Sequence, residues 1–227
     1  RNYTILPSAH TCSYHKGFAF SVFTHPPHHP LHLAELHLRT ADPLLARLID
    51  RHGPCALADP PPSHFHTQIK TIIDQQQSVK VAQRIAERLL ELQQGERFDP
   101  MLLLSLDAVA LRSVGLSRSK IRYIQTLAYA SSAGQLNLAH LQQETDEVVA
   151  RTLMAYPGVG PWTAEIFLMF AFHRTDILPL GDLALRNSIR HHCGLGATAH
   201  RDEYLGAAEK WRPYRSIASW YLWAAVD

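Results

Sequence analysis

Cysteine is scarce in this chain, with only three in 227 residues. Cys12, Cys55 and Cys193 are far apart and odd in number. That excludes a disulfide framework and a zinc site of paired cysteines. Long apolar runs are also missing, and none approaches the roughly 20 residues that cross a bilayer. No signal-peptide pattern opens the chain. The expected setting is therefore inside a cell, away from membranes: cytoplasm or nucleoid in a bacterium, nucleus in a eukaryote. An excess of one charge is absent too. Twenty-two Lys and Arg face 20 Asp and Glu, leaving a formal net charge of +2. Overall charge thus announces no acidic partner, but its distribution is uneven. Residues 111–130 carry Arg112, Arg118, Lys120 and Arg122 and no acid, and Lys210, Arg212 and Arg215 cluster near the end. Local basic patches neutralise phosphates while the remaining surface balances them. With 46% hydrophobic residues, the chain is long enough to bury a full core, as one domain or two lobes.

What is present is concentrated between Leu153 and Glu165. Pro157-Gly158-Val159-Gly160 interrupts two helical patterns, and the second restarts near Trp162. Proline stops the first helix, and the two glycines are free to adopt backbone angles that a Cβ disfavours. The first turn of the second helix then offers unpaired N–H groups, a place where phosphates bind. About twenty residues on stands Pro179-Leu180-Gly181-Asp182. A carboxylate close in sequence to a phosphate anchor is repelled by the ligand, so chemistry rather than binding is the reason to keep it there. Asp182 also reads as the N-cap of a following helix, and the two roles are compatible.

The rest of the pattern is helical almost throughout. Asp42-Pro43 and Asp99-Pro100 are helix starts, and Gly53-Pro54 is a stop. Leu44, Leu45, Leu48 and Ile49 form one apolar face, and Val81, Ile85, Leu89 and Leu92 another. Ser105 is expected to cap a helix ending near Gly115. Ser117 is expected to cap one with Ile121, Ile124, Leu127 and Ala128 inward. The architecture is therefore all-α. Residues 1–38 stand apart as a segment of irregular structure or short strands, with Tyr3–Leu6 and Phe18–Phe23 as strand candidates. The His- and Pro-rich run His25–His32 is extended by its prolines and fits no common metal spacing.

The hairpin with its following aspartate resembles the helix-hairpin-helix DNA glycosylases of the HhH-GPD superfamily. Three further segments carry the resemblance. Ile73-Asp74-Gln75-Gln76-Gln77-Ser78 is similar to the loop that opens the family's core. Leu111–Tyr123 is similar to its Gly-Leu-Ser segment and basic helix. Trp211-Arg212-Pro213-Tyr214-Arg215-Ser216 with Trp223 is similar to the C-terminal signature of the 3-methyladenine DNA glycosylase II branch. The resemblance covers roughly residues 40–227. It implies a two-lobed helical core over 39–227, with the hairpin at about 146–171, and a monomer acting on double-stranded DNA with damaged bases. The N-terminal β-rich domain of the large branch members does not fit in the residues available here.

The resemblance also assigns roles. Asp182 would stabilise oxocarbenium charge and direct water as the N-glycosidic bond breaks. Gln76 would fill the space left by a flipped nucleotide, a motion that costs roughly a few kcal/mol and less for a damaged base. Gly158, Gly160, Thr163, Ser117 and Lys120 would hold the DNA backbone. Trp162, Trp223 and Tyr156 would line the base pocket, where an aromatic face favours a cationic alkylated purine by about 0.5–2 kcal/mol. Trp220 and Tyr214 read as structural, as does Gln75. The carbonyls of Met154, Tyr156 and Gly158 would hold a Na+ or K+ ion. No catalytic cofactor is implied. The four-cysteine cluster that binds iron–sulfur in the endonuclease III branch has no counterpart. Trp162 occupies the place of the lysine that forms a Schiff base in strand-cutting members, which implies a monofunctional hydrolase. Two other readings stay open: a glycosylase for another lesion, such as deaminated bases, and a non-enzymatic DNA clamp. Asp182 discriminates, since a pure clamp gains nothing from an acid there.

Overall fold

A computed structural model describes residues 28–225. Among them every regular element is helical and no strand occurs. The chain forms two compact units. One is Pro60–Arg174; the other combines the residues up to Asp59 with those from Thr175 on. The strand candidates before residue 28 lie outside the described residues.

The unit built from both ends begins with α1 (His32–Ala41) and α2 (Pro43–His52). The boundary expected at residue 38 falls inside α1. Prolines at 26, 27 and 30 mask the start of a helix whose Ala34, Glu35 and Leu38 are buried. Asp42 caps α2 by accepting the Leu44 N–H, Pro43 opens it, and Gly53 ends it at φ 71°.

The Pro60–Arg174 unit holds α3 (His64–Asp74), α4 (Val79–Gln93), α5 (Pro100–Ser105), α6 (Ala108–Ser113), α7 (Arg118–Ser132), α8 (Leu138–Leu141), α9 (Asp146–Met154) and α10 (Pro161–Ala171). Asp107, not Ser105, caps α6: its carboxylate accepts the Ala110 N–H at 2.7 Å, whereas Ser105 closes α5. Adjacent short helices made the two caps hard to separate by pattern. On α4 the inward face is Ala82, Ile85, Ala86 and Leu89, and Val81 is exposed. Ser117 caps α7, whose Ile121, Ile124, Leu127 and Ala128 are buried. Helix α10 is buried on nearly every side and packs against α3 and α9.

The chain then returns to the first unit with α11 (Leu183–Cys193), α12 (Arg201–Ala208) and α13 (Arg215–Ala224). Helix α13 is its centre. Ser216 through Trp223 are all buried, against α2 and α11. Each large apolar side chain so removed from water contributes about 1.5–3 kcal/mol. Its Tyr221 hydroxyl lies 2.9 Å from both Glu35 Oε1 and Gly53 O, tying α13 to the α1–α2 layer. None of the helices is long and apolar enough to cross a membrane, among the described residues.

Candidate DNA-binding and catalytic sites

The sites expected from sequence fall on the two units separately. In the Pro60–Arg174 unit, α9 ends at Met154, and residues 155–160 turn the chain into α10. Helix α9 thus stops three residues before Pro157. Gly158 sits at φ 84°, in the left-handed region, and an added Cβ would lie 2.2 Å from the Tyr123 ring. Conformation and packing both demand glycine there. Gly160 does not share that reason. Its backbone is extended (φ −97°, ψ 178°), and a Cβ would meet nothing within 4 Å. Its missing side chain leaves open space at the N-cap of α10, which corrects the expectation of an unusual backbone.

Five of the expected DNA-contact residues line one cavity of about 550 Å³: Gln76, Ser117, Lys120, Gly158 and Gly160. Three elements distant in sequence make it: the α3–α4 turn, the start of α7 and the hairpin. Gln75 joins two of them. Its amide donates to Gly158 O at 2.7 Å and to Thr163 Oγ1 at 2.9 Å. That is the structural role expected of Gln75. It also explains why Thr163, buried and absent from the cavity lining, braces the hairpin instead of facing a ligand. Gln76 is exposed at φ 55°. A left-handed backbone in a residue with a Cβ is uncommon and costs of order 1 kcal/mol. The turn accepts it and presents the amide outward.

Lys120 is a correction. It is 8% exposed, and its ammonium donates to Ile73 O at 2.6 Å and Gln75 O at 2.7 Å. Those carbonyls are at the C-terminal end of α3, where orphan acceptors attract a cation. Burial lowers its pKa to about 8, against the pull of Asp74. Lys120 therefore fixes the turn that carries Gln76, and is not an open phosphate ligand.

Trp162 is half-buried at the start of α10, and Tyr156 is half-buried in the hairpin turn. The carbonyl of Tyr156 accepts the Val159 N–H and that of Gly158 accepts Gln75. Each carbonyl oxygen has two lone pairs, so both remain chemically able to face a cation. Among the described residues no group of three or more His, Cys, Asp or Glu could hold a metal ion.

Asp182 lies in the other unit. It is the N-cap of α11 and only 4% exposed. One carboxylate oxygen, Oδ1, accepts the Leu185 N–H at 2.8 Å and the Trp223 Nε1–H at 3.1 Å. Trp223 is fully buried, which corrects its assignment to the base pocket. Its ring is core, and its N–H orients the acid. Helix α13 holds the Asp182 segment at the other end as well. Arg215 pairs bidentately with Asp176 at 2.7 and 3.0 Å, and the Ser216 hydroxyl accepts the Ile177 N–H. Ser188 of α11 donates to Leu222 O. A carboxylate fixed this way cannot swing, which is what preorganised electrostatic catalysis requires.

The same geometry disposes of the C-terminal basic cluster. Arg212 and Arg215 pair with Asp176, and Lys210 pairs with Asp42. These cations stabilise the unit; they are not a phosphate patch. Sequence reading missed Tyr123, Ser119 and Gln77 as cavity residues. Only Tyr123 had a signal, a bulky ring beside a basic helix start, and its contact with Gly158 spans the unit. Trp220 is buried, as expected of a structural residue.

Comparison with known proteins bears on both sites. Residues 69–213 match the family described as HhH-GPD superfamily base excision DNA repair protein. A Bacillus subtilis protein, provisionally named a DNA-3-methyladenine glycosylase, is 32% identical over 73% of this chain. The chain spans 60% of that relative's length. The alkylbase DNA glycosidase-like protein mag2 of Schizosaccharomyces pombe is 29% identical over 84% of this chain and 91% of its own. Among solved structures, the 3-methyladenine DNA glycosylase of Schizosaccharomyces pombe in complex with abasic DNA superposes with a TM-score of 0.75. It is 27% identical and covers 84% of this chain and 95% of its own.

Proposed function

The chain belongs to the HhH-GPD superfamily of base excision DNA repair proteins, and on that premise we propose that it is a monofunctional DNA glycosylase for alkylated purines of the 3-methyladenine type. The observation that carries the reading is Asp182, a buried carboxylate held by two N–H donors on one oxygen in a member of this family. Double-stranded DNA is the partner. The hairpin cavity grips the backbone through the N–H groups at the start of α10, and Gln76 enters the stack as the damaged nucleotide leaves it. Trp162 and Tyr156 keep the pocket role, as aromatic faces for a cationic base.

An N-alkylated purine is already a good leaving group, so no strong general acid is needed. As the N-glycosidic bond breaks, both bonding electrons leave with the base and positive charge grows on the sugar. Asp182 stabilises that charge and accepts a proton from the attacking water. The products are free base and an intact abasic strand. No catalytic metal or redox cofactor enters this scheme. A Na+ or K+ ion at the carbonyls of Met154, Tyr156 and Gly158 would add positive potential at the backbone grip.

The test is to incubate the protein with alkylated duplex DNA and identify the bases released, with and without borohydride. Free 3-methyladenine and no protein–DNA adduct is the expected result. Asp182→Asn is expected to lose about 10³-fold in single-turnover rate while still binding abasic-site DNA. Equal turnover by that variant would falsify the catalytic assignment. A borohydride-trapped adduct would overturn the monofunctional reading and direct attention to Lys120, whose amine has a lowered pKa.

A further inference from the structure

The Pro60–Arg174 unit has a second depression, of about 680 Å³, that the hairpin does not use. Arg112 of α6 and Arg118, Arg122, Gln125, Thr126 and Tyr129 of α7 line it. The α7 residues recur at helical spacing and share one face, whereas Lys120 and Tyr123 stand on the face that lines the hairpin cavity. Arg112, Arg118 and Arg122 are exposed, and none forms an ion pair among the described residues. No carboxylate lines the groove. Asp107, next to Ala108 on its edge, is held by capping α6. Arg122 lies over the Tyr123 ring at 5.4 Å, which leaves its donors turned to solvent-accessible ligands. Three like charges kept together at the surface repel one another. That arrangement is favourable only with an anionic occupant. Tyr129, 59% exposed, adds a hydroxyl donor at the far end.

We infer that this groove is a second backbone site, holding phosphates of the DNA duplex beyond the stretch gripped by the hairpin. The inference rests on the DNA-binding reading of the hairpin. Guanidinium groups suit phosphate oxygens because each offers paired donors in a planar fork. Gln125 and Thr126 supply neutral donors of the kind that position a backbone without reading sequence. One helix thereby serves two purposes: α7 faces the hairpin cavity on one side and flanking duplex on the other.

The experiment compares wild type with the double variant Arg112→Gln/Arg122→Gln on duplexes of about ten and about thirty base pairs, each with a central abasic-site analogue, across a salt series. On the long duplex the variant is expected to bind about tenfold more weakly. Its slope of log affinity against log salt should be shallower by about one to two, near 0.9 for each phosphate no longer neutralised. On the short duplex it should match wild type, and its single-turnover rate at saturating DNA should be unchanged. Both positions are exposed, so the melting temperature should hold. The variant Arg112→Lys/Arg122→Lys keeps the charge and should retain most of the slope. Identical affinity and slope for the Gln variant on the long duplex overturns the groove site while leaving the hairpin reading intact. Failure of wild type to bind either duplex overturns both.

Discussion

The two units treat their polar groups in opposite ways. In the unit made from the chain ends, charges are satisfied internally. Asp42 takes Trp211 and Lys210, Asp176 takes Arg212 and Arg215, and Asp182 takes Leu185 and Trp223. In the Pro60–Arg174 unit, groups are left facing outward: Gln76 in a left-handed turn, the open N-cap at Gly160, and the arginines of the α6–α7 groove. Internal satisfaction fixes a group for chemistry. Outward presentation suits a ligand that brings its own charge. The difference implies that substitutions in one unit change rate and those in the other change affinity.

The sharpest break of that comparison is within the hairpin. Gly158→Ala forces a left-handed alanine against the Tyr123 ring and is expected to cost about 2–4 kcal/mol of stability, seen as a lowered melting temperature. Gly160→Ala is expected to leave stability within about 0.5 kcal/mol yet weaken DNA binding, because its Cβ occupies the space a phosphate needs. If both variants lose stability alike, Gly160 is structural and the open N-cap is not a ligand site.

Trp223→Phe tests the other unit. It keeps the buried ring and removes the N–H that Asp182 Oδ1 accepts. The single-turnover rate should fall about tenfold, the equivalent of one missing hydrogen bond to a charged group, with abasic-DNA affinity unchanged. A matching loss of affinity, or no loss of rate, would remove Trp223 as a positioning residue.

The smallest effect expected is on pH. His66 of α3 stacks on Phe98 and its Nδ1 accepts the Phe98 N–H at 3.2 Å. Burial, with Lys70 adding to it, lowers its pKa from 6.5 to about 4. Between those values the unfolded chain binds a proton that the folded chain refuses, so stability falls as pH falls through that window. The loss should be about 1–2 kcal/mol once partial exposure is allowed for. His66→Asn keeps an acceptor and does not titrate, so denaturant melts from pH 7 to 4 should show a flatter profile. An unchanged profile would assign the acid sensitivity elsewhere.

The helical architecture was legible because caps and apolar periodicity are local. Asp42-Pro43, Asp99-Pro100, Ser117 and Asp182 announce helix starts by chemistry confined to a few neighbouring residues. The hairpin turn and the acid after it were legible for the same reason. Where neighbouring caps competed, as at Ser105 and Asp107, pattern alone chose wrongly. What a side chain does once the chain folds was not legible. Gln75 reaches Gly158 across 83 residues, Lys120 reaches Ile73 across 47, and Trp223 reaches Asp182 across 41. Sequence spacing carries no record of such pairs. Two basic clusters that read alike in the sequence therefore separate only in three dimensions. Lys210, Arg212 and Arg215 find carboxylates brought by distant segments, while Arg112, Arg118 and Arg122 find none. Residue type determined that each could bind an anion. Tertiary structure decided which had already bound one, because an ion pair depends on distance in space and not along the chain.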